Sequence, residues 1–183
     1  MMAGSKKRNS KKTISRQRAA GKNLSPEASL RKNLIELLNG GNAHVTIADA
    51  VANFPVDQRG ASAPGLPHTA WQLLEHLRIA QWDMLEFSRD PKHVSPDFPN
   101  GYWPKSTAPP NDAAWNKSVA AIQSDLREFI RLLTNPRSDL HAPFPWGNGQ
   151  TLLREALLVA DHNSYHVAQI VDLRRALRIW PKS

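Results

Sequence analysis

The chain has 183 residues, which is the size of one ordinary domain with enough length to bury a core. It contains no cysteine, which excludes disulfides, a cysteine nucleophile, cysteine-ligated zinc and iron–sulfur clusters. No apolar run approaches the roughly 20 residues that cross a bilayer, and the N-terminus lacks the apolar segment of a secretory signal, so we expect a cytoplasmic protein.

The positive charge is concentrated near the N-terminus. The 24 lysines and arginines outnumber the 16 acidic residues, but residues 1–25 hold eight of the basic residues and no acid. Residues 1–24 are therefore predicted to be a disordered basic arm, and residues 25–180 the folded domain. The remainder of the chain is electrically neutral, which argues against a nucleic-acid-binding face. Salt-dependent association of the arm with nucleic acid stays open as a less favoured hypothesis.

The predicted helices begin just after the arm. A capping serine, a proline and an acid start a helix that runs from residue 26 to about Asn39, where two glycines end it. Thr46 opens a short helix that ends before Pro55, and residues 57–68 form a Gly/Pro-rich linker.

Three long helices with apolar stripes follow the linker. They are predicted over residues 70–88, 112–133 and 151–177. Two long loops, residues 89–111 and 134–150, connect them, and the first holds six of the 14 prolines, so we expect no helix in it. No segment has the alternation of a strand. The sequence therefore predicts an all-α four-helix bundle.

Three histidines fall on helix faces that should be buried. At 100° per residue, His162 and His166 lie inside the apolar stripe of the last helix, and His76 lies at the edge of the stripe of helix 70–88. Two histidines four residues apart can bind one metal ion, and a third from a facing helix completes a three-nitrogen site with open positions. On spacing alone, the alternative that they are ordinary core histidines remains open.

Further helical residues flank these histidines. Glu155 lies one heptad before His162 on the same face, either as an acceptor or base at a metal site or as a partner of Arg154. Gln72 and Asp83 flank His76, with functional and structural interpretations both open. Gln169 can hold a water molecule or the edge of a ligand.

Aromatic residues and four other histidines lie in the loops. Tyr102 and Trp103 in the first loop, with Trp146 in the second, are predicted either to line the mouth of a pocket or simply to pack beneath the loops. The remaining histidines are expected in solvent; they are His44, His68, His93 and His141.

The segments that carry the histidines resemble those of the DinB/YfiT-like family of metalloenzymes. His76 stands in WQLLEHLRIAQWD, His162 and His166 stand in DHNSYHVAQI, and PGLPHTAWQLLEHL resembles the start of the family's second helix. The resemblance covers about residues 26–180. It implies a four-helix bundle that binds one divalent metal ion, such as zinc, nickel or manganese, through these three histidines.

The resemblance also implies a class of reaction. Relatives include thiol-dependent transferases and isomerases, in which the metal activates a low-molecular-weight thiol such as bacillithiol or mycothiol, and the same kind of site supports hydrolysis. We therefore expect a metal-dependent enzyme of hydrolase or thiol S-transferase type that acts on a small molecule, and a homodimer, because relatives often pair. The alternative is a metal-binding or structural bundle without turnover.

Overall fold

The computed structural model describes residues 24–181, so the predicted basic arm lies outside the described residues except for Leu24. These residues form five α-helices and no strand, which confirms the predicted all-α bundle. The helices are α1 (Pro26–Asn39), α2 (Ile47–Val51), α3 (Ala70–Arg89), α4 (Asp112–Thr134) and α5 (Leu152–Ala176). None of the helices in this part of the chain is long and apolar enough to cross a membrane.

Local capping signals set the helix ends. The Ser25 side chain accepts a hydrogen bond from the Ala28 backbone N–H, and α1 ends at Gly40, whose φ of 70° lies in the left-handed region that glycine tolerates. At α3, Thr69 and Gln72 form a reciprocal capping box, in which each side chain accepts from the other residue's backbone N–H. The boundaries of the four long helices therefore lie within one residue of the predicted ones, whereas α2 ends at Val51, earlier than the predicted end just before Pro55.

The four long helices pack as the corners of a bundle. Helix α1 packs against α4 and α5, and α3 packs against the same two helices, so α1 and α3 occupy opposite corners. The short helix α2 covers part of α5. The expectation of no helix in the proline-rich loop is wrong at one point, because Asn100–Tyr102 forms a single 3-10 turn.

The core is divided into two apolar clusters along the bundle. One cluster contains Leu73 and Leu77 of α3 with Ile170 of α5, and the other contains Met84 of α3 with Val159 of α5. Polar side chains of α3 and α5 contact one another inside the bundle; they are His76, Gln81, His162, Asn163 and His166. The three histidines therefore belong to a polar belt that joins α3 to α5.

Candidate metal centre

Helices α3 and α5 bring the three predicted ligands together. His76 projects from α3, and His162 and His166 project from successive turns of α5, with ligand nitrogens that all lie within 4.8 Å of one another. The Nε2 atoms of His76 and His162 are 3.0 Å apart. Among the described residues, this is the one such group of histidine and acidic side chains, and its geometry is compatible with binding a metal ion.

Hydrogen bonds to the outer ring nitrogens orient two of the three imidazoles. The backbone carbonyl of Tyr102 accepts from His76 Nδ1 at 2.9 Å, and Gln169 Oε1 accepts from His166 Nδ1 at 2.6 Å. Because an oxygen acceptor keeps the proton on Nδ1, it leaves Nε2 with a lone pair for a metal ion. The residues therefore fit a metal ion in the chemistry of their donor atoms as well as in their spacing.

The third imidazole, His162, is held differently. Its Nδ1 is buried without a hydrogen-bond partner, and so is Oδ1 of the adjacent Asn163. The Asn163 amide donates to Gln81 Oε1 at 2.8 Å, and Gln81 in turn donates to the Ile122 carbonyl at 2.7 Å. This buried chain of amides links the polar belt to α4 and fixes Asn163 beside His162.

Burial keeps the three imidazoles neutral. It lowers the pKa of His162 to about 4, with the neighbouring charges of His166 and His76 acting in the same direction. It also lowers the pKa of His166 to about 4 and lowers that of His76, although the Gln169 and Tyr102 oxygens oppose these shifts. At neutral pH the rings are therefore in the neutral form, in which one nitrogen of each ring has a lone pair that can bind a metal ion.

The first long loop covers one side of the histidine group. The Trp103 ring stacks on the His76 ring, with centroids 3.9 Å apart and planes 1° from parallel. His68 stacks on Trp103 with a centroid distance of 4.1 Å. Tyr102 and Trp103, both predicted near the site, are thus in direct contact with His76, Tyr102 through its backbone and Trp103 through its side chain.

The other predicted site residues lie farther from the three rings. Gln72 belongs to the capping box of α3, where its side-chain oxygen is occupied. Asp83 and Glu155 lie about 10 Å along their helices from His76 and His162, at 1.5 Å per residue. Asp83 accepts from the His93 ring and from the Tyr102 hydroxyl.

Glu155 is deeply buried, as its position on the same helix face as His162 predicts. It is 2% exposed, and its Oε1 accepts from Arg154 Nη1 at 2.6 Å, so the pairing with Arg154 is present. Burial raises the pKa of Glu155, Arg154 opposes this rise, and the charge of Asp83 adds to it. The carboxylates of Asp83 and Glu155 therefore lie at a separate level of the bundle, each one heptad along its helix from a histidine of the group.

Two of the histidines expected in solvent instead contact residues of the candidate site, and the sequence analysis missed both contacts. His44 and His141 are exposed as predicted, but His68 and His93 are half-buried. His68 packs on Trp103, and His93 binds Asp83. No local sequence pattern indicates the burial of His68 or His93, because both lie in loops and contact residues that are distant in the sequence.

The second long loop lies away from the histidines. Trp146 donates from its indole N–H to the Phe87 carbonyl at the end of α3 and stacks on Phe144, with centroids 5.2 Å apart. Residue 87 is about 16 Å along α3 from His76, at 1.5 Å per residue. These contacts favour the packing interpretation of Trp146 over a place at the mouth of a pocket.

Comparison with known families agrees with the helical fold. A family model described as the DinB superfamily matches residues 43–170, which is more than half of the chain. The chain belongs to the DinB superfamily. The match spans all three histidines, whereas α1 and the basic arm fall outside it. Comparison with curated proteins and with solved structures gave no match.

Proposed function

We propose that this DinB-superfamily protein binds one divalent metal ion through His76, His162 and His166 and is a metal-dependent enzyme that acts on a small molecule. The observation that carries the proposal is the convergence of three neutral imidazoles whose ligand nitrogens lie within 4.8 Å. Imidazole ligands suit zinc and nickel better than manganese, which prefers oxygen ligands, and three protein ligands leave coordination positions for other groups.

The proposed reaction is hydrolysis or S-transfer from a low-molecular-weight thiol. When bound, a divalent metal supplies Lewis acidity, which lowers the pKa of a water molecule or thiol so that it acts as a nucleophile near neutral pH. The chain itself contributes orientation, because Tyr102 and Gln169 hold two of the rings, and it contributes an aromatic wall at Trp103. It has no cysteine, so a thiol nucleophile must come from solution.

Metal content tests the binding step. We expect about one metal ion per chain, by mass spectrometry, in protein purified without a histidine tag or chelator, and loss of that metal in His162→Ala. His141→Ala is the matched control, because the His141 side chain is 61% exposed and lies outside the group. Wild-type protein that takes up neither zinc, nickel nor manganese would overturn the proposal.

Turnover separates an enzyme from a metal-binding bundle. Metal-loaded wild-type protein is to be screened against esters and amides, and against electrophiles in the presence of small thiols. We expect at least one activity that His162→Ala lacks and His141→Ala retains. A stoichiometric metal that raises the melting temperature without any turnover favours the alternative, a structural metal-binding bundle.

The homodimer implied by the family stays a prediction, which sedimentation of the full chain tests.

A further inference from the structure

Tyr102 contacts two residues of α3 that lie one heptad apart. Its backbone carbonyl accepts from His76 Nδ1 at 2.9 Å, and its hydroxyl donates to Asp83 Oδ2 at 2.6 Å. Seven residues advance about 10 Å along a helix, so Tyr102 lies along α3 with one end at the histidine group and the other at the carboxylate.

The Asp83 carboxylate holds the covering loop at a second point. Its Oδ1 accepts from His93 Nε2 at 2.7 Å, and the Asp83 and His93 side chains are only 11% and 8% exposed. A carboxylate this deeply buried is costly unless both oxygens are hydrogen-bonded. His93 and Tyr102 supply the two bonds, and they fasten the start and the middle of the loop to one residue of α3.

The fastened segment determines how His76 is held. Tyr102 provides the acceptor at the outer edge of the imidazole, and the next residue, Trp103, stacks on its face at 3.9 Å. Displacement of this segment removes both contacts at once, and Nδ1 then has no oxygen to keep its proton. The His76 ring also contacts the rings of His162 and His166.

We propose that Asp83 is a positioning residue for His76. By binding the Tyr102 hydroxyl, Asp83 fixes the carbonyl that keeps the proton of His76 on Nδ1 and leaves Nε2 free as a ligand atom. This inference rests on the proposed function only in taking His76 as a metal ligand. The orientation of the ring can be measured without any metal.

The first test is the tautomer of His76 in metal-free protein. Long-range proton–nitrogen spectra of the imidazoles report which nitrogen carries the proton. We expect a single Nδ1–H form in the wild type and a mixture of both tautomers in Asp83→Leu and in Tyr102→Phe. Glu86→Gln is the matched control, because Glu86 also lies on α3 with a 20% exposed side chain but pairs with Arg89. We expect it to keep the wild-type tautomer.

The second test is zinc affinity, measured by competition with a chelator. Loss of an outer partner of a ligand histidine typically weakens metal binding 10–100-fold, so we expect at least about a tenfold loss in both variants and none in the control. Wild-type tautomer and affinity in Tyr102→Phe would overturn the role of Asp83, even if Asp83→Leu fails to fold. If wild-type protein binds no metal, the proposed function fails, and the tautomer alone decides the role of Asp83.

Discussion

The Nε2 atoms of His76 and His162 lie 3.0 Å apart across the interface of α3 and α5. Because the Tyr102 carbonyl keeps the proton of His76 on Nδ1, His76 Nε2 is an acceptor, and His162 Nε2–H is the donor of this contact. A divalent metal ion held by His76 and His162 would bind at these Nε2 atoms, and His162 would then carry its ring proton on Nδ1, which is buried without a hydrogen-bond partner.

Zinc is therefore expected to stabilise the wild-type fold. A ligand that binds only the folded chain adds about 2.7 kcal/mol at 100 times its dissociation constant, which corresponds to a rise in melting temperature of roughly 5–10 °C for a domain of this size. Thermal unfolding with and without zinc measures the rise. We expect the zinc-dependent rise in melting temperature to vanish in His162→Ala and to persist in His141→Ala. An equal rise in all three proteins would assign it to a site elsewhere.

The outer partner of His166 offers a second prediction. Gln169 Oε1 accepts from His166 Nδ1 at 2.6 Å, so Gln169→Leu removes the acceptor and is expected to weaken zinc binding about 10–100-fold. Gln169→Glu supplies a stronger acceptor and is expected to retain wild-type affinity or exceed it. Competition with a chelator measures both.

Gln123→Leu is the control for this pair, because Gln123 lies on the exposed side of α4. We expect it to bind zinc as the wild type does. Equal affinities of Gln169→Leu and the wild type would mean that the hydrogen bond to His166 does not support metal binding.

The helices and the histidine group could be predicted because their signals are local. Capping residues such as Thr69 mark helix starts within a few residues of sequence, and the helical period alone places His162 and His166 on one face. Gln72 shows a local signal that was overlooked. Its spacing of three residues from Thr69 is that of a capping box, which explains why its side chain faces the helix start.

The surroundings of the site could not be predicted in the same way. The contacts of Tyr102, Trp103, His68 and His93 depend on how a proline-rich loop crosses α3, and no periodicity describes such a path. The partner of a loop histidine is set by tertiary packing, so His93 on Asp83 looks no different in sequence from the exposed His141.

Glu155 gives a prediction for pH dependence. Burial raises the pKa of Glu155 in the folded chain above the 4.5 of a free glutamate. At pH values between the unfolded-state pKa and the raised folded-state pKa, the folded chain therefore binds more protons than the unfolded chain. The free energy of unfolding contributed by Glu155 therefore falls as the pH rises through this window and stays lower above it. The side chain of Glu155→Gln is neutral at every pH. The melting temperature of the variant minus that of the wild type should therefore be larger at pH 7 than at pH 4.

The measurement is thermal unfolding of metal-free protein at both pH values. Glu36→Gln provides the comparison, because Glu36 has a 52% exposed side chain on α1, and we expect a smaller change between the two pH values. A difference between Glu155→Gln and the wild type that is the same at pH 4 and pH 7 would contradict the prediction.

Arg174 is expected to support the fold without contributing to the histidine group. It is 1% exposed, and its Nη1 donates to the Ala50 and Ala52 carbonyls at 2.8 and 3.0 Å, where α2 ends. Arg174→Met leaves these carbonyls without a donor, and we expect the free energy of unfolding to fall by about 2–4 kcal/mol. Chemical denaturation measures this loss. Arg175→Met, at a 63% exposed neighbour, should change it by less than about 0.5 kcal/mol.

Zinc affinity distinguishes this structural role from a role at the site. Arg174 lies about 12 Å along α5 from His166, at 1.5 Å per residue, and its side chain donates hydrogen bonds to the end of α2 and to Ile179. At a temperature where Arg174→Met remains folded, we expect it to bind zinc as tightly as Arg175→Met does. A selective loss of zinc affinity in Arg174→Met would show that the packing of α2 on α5 also sets the position of the histidines.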